Sequence, residues 1–69
     1  MTHHVDRLSE IVGSSETSVD DAIRTGIHKA AQTIRNISWF EVSEIRGHIQ
    51  EGKVAHYQVT LKVGFRVEE

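Results

Sequence analysis

The stretch that decides the fold is Ala55–Val67, with the sequence AHYQVTLKVGFRV. Its odd positions are apolar, whereas its even positions are polar, charged or glycine. Because successive side chains of a β-strand point to opposite faces of a sheet, this alternation predicts one long strand with an apolar and a polar face. The polar face carries His56, Gln58, Thr60, Lys62, Gly64 and Arg66.

A hairpin turn at Gln50–Lys53 joins this strand to a partner upstream. Gly52 suits the positive φ of a type I turn with a bulge. Placing Gln50 opposite Lys53 fixes the register of the two strands. The predicted pairs are Trp39 with Gly64, Phe40 with Val63, Glu41 with Lys62, Val42 with Leu61 and Ile45 with Gln58.

In this register the single tryptophan, Trp39, lies on the polar face of the hairpin, while Phe40 and Val42 lie on the apolar face. A large flat indole outside the core needs another partner, which is either a second subunit or a planar ligand. Taken alone, an exposed tryptophan is more often an interface residue. Its neighbours on the same face, Gln58 and Arg66, favour the planar ligand.

Upstream of the hairpin the sequence predicts a short strand at about Arg7–Val12, a polar loop over 13–18 and one amphipathic helix. Ser18 is the predicted N-cap, and Arg35 with Asn36 marks the predicted end. About 18 residues give roughly 27 Å of helix, enough to lie along much of the hairpin's apolar face. The predicted fold is α+β, in the order β-α-β-β, with a three-stranded antiparallel sheet wrapped around one helix.

Length and composition limit the function classes. The 69 residues predict one domain over 1–69, and the absence of cysteine excludes disulfides, thiolate metal sites and thiol nucleophiles. A net charge of −2 argues against a nucleic-acid partner. Neither a membrane span nor a signal peptide is predicted, so we expect a cytoplasmic protein.

The sequence predicts no metal site and no catalytic site. In the predicted register His48 and His56 lie on opposite faces of the hairpin, so they do not share an ion. The carboxylates of Glu41, Glu44 and Glu51 do not form a close pair for acid–base chemistry. We therefore expect a binding protein and not an enzyme.

Four stretches of this sequence together resemble the bacterial dodecins: Val12-Gly13, the segments Trp39–Val42 and Ile45–His48, and Ala55–Arg66. The resemblance extends from about Arg7 to Glu68. It implies a hollow homododecamer that binds flavin, usually flavin mononucleotide (FMN), and stores or shields it without turnover. Riboflavin or the dinucleotide FAD remains open as the preferred flavin.

The resemblance also implies roles for four cofactor-binding residues. Trp39 would cover the outer face of one of two stacked flavins, and Gln58 would hydrogen-bond the polar edge of the ring. Arg46 and Arg66 would serve its rim, ribityl chain or phosphate. Because Arg46 has the parity of Phe40, it reaches this ligand only if the strand bulges near Gly47 or if it serves a neighbouring subunit.

Two other function classes remain beside flavin storage. The first is a purely structural oligomer in which Trp39 fills a hole between subunits. The second is a carrier of another nucleotide-like cofactor, such as coenzyme A, bound through Lys29, Arg24 or other exposed basic residues. The hypothesis of a flavin-dependent redox enzyme is weaker than these two hypotheses, because a doubly stacked ring pair leaves no face for a substrate.

Overall fold

The computed structural model describes residues 5–67 and contains four elements. They are β1 (Asp6–Ser15), α1 (Val19–Ala31), β2 (Ile37–Gln50) and β3 (Lys53–Arg66). The three strands form one antiparallel sheet in the order β1-β3-β2. The predicted β-α-β-β order and the antiparallel sheet with one helix are confirmed.

The central strand β3 builds the core with one of its faces. Its side chains Val59, Leu61 and Val63 are fully buried. Ala22 of α1 packs against Val59 and Leu61, together with the partly buried Ile11, Val19, Ile23 and Ile27. We call this side of the sheet the helix face and the opposite side the outer face. The alternation over Ala55–Val67 therefore separates the two faces as predicted.

Helix α1 begins as predicted but ends earlier. The Ser18 Oγ accepts a hydrogen bond of 3.0 Å from the Asp21 backbone N–H, which confirms the N-cap. The helix closes at Ala31, not at Arg35, because the next N–H groups bond to carbonyls only three residues back, as in Gln32 to Lys29. The helix thus has 13 residues, about 20 Å in length.

The first strand is longer than predicted at both ends. It runs from Asp6 to Ser15, so that the predicted loop residues 13–15 pair with Val59, Gln58 and Tyr57 of β3. Ser15 joins the strand to the helix, since its hydroxyl donates to the Asp21 carboxylate at 2.6 Å and accepts from the Thr17 N–H at 2.9 Å. Strand β1 is therefore extended by its pairing with the long strand β3.

The hairpin turn lies where it was predicted but has another geometry. Glu51 and Gly52 both have positive φ, 53° and 75°. Two positive central residues are typical of a two-residue type I′ turn, whose twist matches that of the flanking strands, and the predicted type I turn with a bulge is wrong. The register pairs predicted for Trp39, Phe40, Glu41, Val42 and Gln50 are confirmed.

The helix covers only part of the sheet. It packs against β1 and β3, while the apolar side chains of β2 and of the start of β3 remain 40–72% exposed. They are Phe40, Val42, Ile45, Ile49 and Val54. The expectation that the helix lies along much of the hairpin's apolar face is therefore wrong, because α1 stands over the other edge of the sheet. Within the described part of the chain, no helix is long and apolar enough to cross a membrane.

Candidate functional site

The indole of Trp39 lies on the outer face, directly over Gly64. The two residues are register partners, and a Cβ atom on residue 64 would overlap the indole ring. Gly64 itself is buried beneath the ring, whereas Trp39 stays 43% exposed. The tryptophan therefore points away from the helix, as predicted, and presents one free ring face.

A β-bulge changes which residues of β2 share the face of Trp39. The register shifts between Val42 and Glu44, leaving Ser43 as the extra residue. Arg46 consequently lies opposite Gln58, and Ile45 lies opposite Val59. The predicted Ile45–Gln58 pair is wrong because it was counted from the turn, and a second shift between His48 and Ile49, with Ala55 of β3 as the extra residue, lies between the turn and Ile45. Because Ser43 is the extra residue, Arg46 lies on the same face as Trp39. A register without the bulge places the two residues on opposite faces.

Arg46 and Gln58 form one group on the outer face. Gln58 is half-buried, between Ser14 of β1 and Arg46 of β2 in the sheet register. The Arg46 guanidinium lies 3.6 Å from the Glu44 carboxylate, and both side chains are more than half exposed. A surface ion pair of this kind is weak, so the guanidinium can exchange this carboxylate for another anion.

Arg66 belongs to a second group, with Trp39. It ends β3 opposite Asp6 of β1, and its backbone N–H donates to the Asn36 carbonyl at 3.4 Å. Trp39, Arg66, Asp6 and Asn36 border a cavity of about 500 Å³, together with Ile37 and Ser38. We call it the indole cavity. It combines one flat aromatic wall with charged and amide groups.

The two groups lie far apart within one chain. Gln58 and Gly64 are six residues apart on β3, and a strand rises about 3.3 Å per residue. The distance from the Trp39 group to the Gln58 group is therefore roughly 20 Å. One flat heterocycle in contact with the indole does not reach Gln58 of the same chain. A site that uses both residues needs two copies of the chain.

The histidines of the hairpin depend on a second register shift, nearer the turn. His48 and His56 are register partners on the same face, with ring centroids 5.5 Å apart and planes inclined by 19°. The prediction that they lie on opposite faces is wrong, because the register shifts between His48 and Ile49 and leaves Ala55 of β3 as an extra residue that the predicted register did not include. Between residues 5 and 67 no group of three or more His, Cys, Asp or Glu side chains is placed to hold a metal ion. His3 and His4 lie outside the described residues.

A signal for the bulge is present in the sequence of β2. Its apolar residues change parity, from Phe40 and Val42 at even positions to Ile45 at an odd one. A strand with one apolar face makes this change only if one extra residue is inserted. The position of Arg46 relative to Trp39 follows from this signal, whereas the pairing of the histidines depends on the shift at Ala55.

Comparisons with known proteins agree with this architecture. The family model of the dodecins matches residues 5–68. The dodecin of Thermus thermophilus is 52% identical over 60 residues, which cover 87% of each chain. The solved dodecin of Streptomyces davaonensis has a TM-score of 0.92 at 53% identity, covering 99% of this chain and 100% of its own. That of Streptomyces coelicolor has a TM-score of 0.93 at 51% identity, covering 100% and 99%.

The fold defines a small α+β protein with a helix on one face of an open sheet and an exposed indole on the other. Within that class, the family match and the relatives show that the chain belongs to the dodecin family. Dodecins bind small ligands, form oligomers and are in general not enzymes.

Proposed function

We propose that this dodecin is a non-enzymatic flavin-binding protein that stores and sequesters FMN in a homododecamer. The observation that carries the proposal is the outer face, where the Ser43 bulge aligns Arg46 and Gln58 with Trp39 and Arg66. Every residue type that a flavin nucleotide requires is on this face: an aromatic plate, a carboxamide and guanidinium groups. We also propose a cytoplasmic location.

The residues fit the chemistry of a flavin. Trp39 is backed by Gly64 and keeps one ring face free, so stacking with another flat ring removes apolar area from water. Such pairs add about 0.5–1.5 kcal/mol beyond the buried area. The Gln58 carboxamide offers a donor and an acceptor to the uracil-like edge of the ring, and arginines suit phosphate.

The site is proposed to be shared between subunits. Because Trp39 and Gln58 of one chain lie roughly 20 Å apart, the indole of one subunit and the carboxamide of another would hold the same ring. A two-fold axis would then supply each residue twice and bring two rings together. The exposed apolar face of β2 provides area for the contacts that such an assembly needs.

The proposed mechanism is shielding and not turnover. When bound, a flavin supplies a light-absorbing, redox-active ring. An indole in van der Waals contact with that ring can donate an electron to its excited state and return it, which quenches fluorescence and limits photochemistry. Ring faces that are covered on both sides leave no place for a substrate.

Coenzyme A is a second candidate ligand, and one observation favours it. Lys29 borders a cavity of about 290 Å³ between α1 and β1, lined also by Ile11, Val12, Gly26 and Gln32. Arg24, the other basic residue considered for this ligand, is already paired with Asp20 at 2.9 Å. Titration of coenzyme A into the FMN-loaded protein separates the two ligands, because displacement of flavin would mean a common site.

The central test combines a native mass measurement with flavin fluorescence. Protein mixed with FMN should migrate as a yellow dodecamer in which the flavin fluorescence is quenched. A colourless oligomer that takes up none of the added flavin would favour the structural role and contradict the proposal. A yellow monomer would contradict the shared site. Catalytic hydride transfer by the bound flavin would contradict the storage role.

A further inference from the structure

A pair of histidines lies across the two long strands near the hairpin turn. His48 of β2 and His56 of β3 are register partners on the outer face, with ring centroids 5.5 Å apart and ring planes inclined by 19°. The predicted register places them on opposite faces, which excludes a metal ion shared within one chain. Because both side chains lie on one face, their two imidazoles can bind one ion.

The spacing of the two rings leaves room for an ion. Rings in van der Waals stacking lie about 3.5–4 Å apart, so the separation of 5.5 Å leaves a gap between them. Two nitrogen ligands of one metal ion, each about 2.0–2.1 Å from it, lie roughly 3–3.5 Å from one another. Each imidazole therefore has to tip toward the other by about 1 Å, which small rotations of the side-chain torsions provide.

Both imidazoles are accessible and have no competing partner in the described part of the chain. His48 is exposed and His56 is half-buried. Between residues 5 and 67, no side-chain hydrogen bond or ion pair engages either ring. Strand β1 ends at Ser15, opposite Tyr57, so it does not extend beside His56. A cavity of about 400 Å³ opens there, lined by Ser14, Ser15, Glu16 and His56.

The charges around the pair have both signs. Glu16 borders the cavity at His56 and attracts a cation. Arg46, two residues before His48 on β2, keeps its guanidinium 3.6 Å from the Glu44 carboxylate, which offsets its charge. Lys53 begins β3 at the turn and opposes a cation. Since these charges largely compensate each other, the two imidazoles decide which ion is bound.

Imidazole nitrogen suits Zn²⁺, Ni²⁺ and Cu²⁺, whereas Mg²⁺ and Ca²⁺ take oxygen ligands. We propose that His48 and His56 of one chain chelate one divalent transition-metal ion. No group of three or more His, Cys, Asp or Glu side chains surrounds an ion site in residues 5–67, so water completes the coordination. This site is independent of the proposed flavin binding. The bound ion joins β2 to β3 and stabilises the folded hairpin, because it binds the unfolded chain more weakly.

The test titrates Zn²⁺ alone into the full chain, in competition with a coloured metal indicator. The wild type should bind one Zn²⁺ per chain. H48Q and H56Q should each bind it about tenfold to hundredfold more weakly, since even a group that only orients a metal ligand is worth about that much. H28Q removes the exposed imidazole of α1 and is the matched control. H3Q/H4Q removes the two histidines outside the described residues. Neither control should change the affinity, and Ca²⁺ should not displace Zn²⁺.

Three results of this titration would overturn the proposal. The first is an unchanged affinity in H48Q and H56Q. The second is a loss in only one of these variants, because the ion would then use other ligands. The third is half an ion per chain, which would place the ion between two chains.

Thermal unfolding at one protein concentration gives an independent measurement. Saturating Zn²⁺ should raise the melting temperature of the wild type and of H28Q but not that of H48Q. The same melting curves show whether H48Q is folded. An equal rise in H48Q would contradict an ion held across the hairpin. These measurements use no flavin, so their failure leaves the proposed function untouched.

Discussion

The two faces of β3 differ in what completes them. On the helix face, Val59, Leu61 and Val63 are fully buried by elements of the same chain. On the outer face, Gln58 is half-buried and Arg66 exposed, and Trp39 covers Gly64 while keeping 43% of its own surface exposed. One face of β3 is thus covered within the single chain, and the other face remains accessible to a partner or a ligand. The first face carries stability, and the second carries the proposed function.

The largest expected effect comes from damaging the helix face. Leu61→Ala removes a fully buried side chain beneath α1, which should lower the free energy of unfolding by about 2–5 kcal/mol. Thr60→Ala, one residue away on the outer face, should cost about 1 kcal/mol or less. Denaturation at one fixed protein concentration measures both. Equal losses in the two variants would remove the contrast between the faces.

The next effect belongs to the outer face. Trp39→Ala removes the stacking plate but no core contact, so the assembly should remain while FMN affinity falls about tenfold to hundredfold and quenching is lost. Fluorescence titration measures affinity and quenching together. Trp39→Phe keeps a flat ring and should retain part of the affinity. Quenching by the alanine variant at the level of the wild type would falsify the proposed role of the indole.

A smaller effect is expected from the residue behind the indole. Gly64→Ala puts a Cβ atom where the indole ring lies, so the ring must move. FMN binding should weaken by about tenfold or less, with the chain still folded. The near-ultraviolet circular dichroism of the single tryptophan should change together with the affinity. A changed spectrum with unchanged affinity would mean that the ring position is not used in binding.

The smallest effect is expected at the stacked histidines. His48→Ala removes one ring of the cross-strand pair with His56, and such pairs contribute roughly 0.2–1 kcal/mol. Thermal unfolding of the variant and of the wild type measures this difference. FMN affinity should change by less than about twofold, because neither imidazole is among the four proposed ligand residues. A large loss of affinity would show that the ligand site extends further along the outer face.

On the helix face, the sequence predicted the buried strand β3 and the start of the helix. The strict alternation from Ala55 to Val67 is compatible only with a β-strand, which the structure has. The Ser18 N-cap depends on a local hydrogen bond, which the structure also has. The helix end was predicted too late because Ile34 and Arg35 continue the helical pattern while the chain has already tightened at Gln32. Periodicity records which residues are apolar and not where the backbone leaves the helix.

The outer face was predicted only in part. Trp39 over Gly64 was predicted by counting back from the turn, and the count is correct there because the extra residues Ala55 in β3 and Ser43 in β2 cancel. The position of Arg46 depends on the extra residue Ser43, and a count without insertions places it on the wrong face.

The uncovered apolar side chains of β2 have a consequence for how stability is measured. Folding of a lone chain leaves Phe40, Ile45 and Ile49 in water, and in the proposed assembly association would remove them from it. The midpoint of unfolding would then depend on protein concentration. Diluting the protein should lower its melting temperature with no change of sequence, pH or salt, so melting points of variants have meaning only at matched molarity.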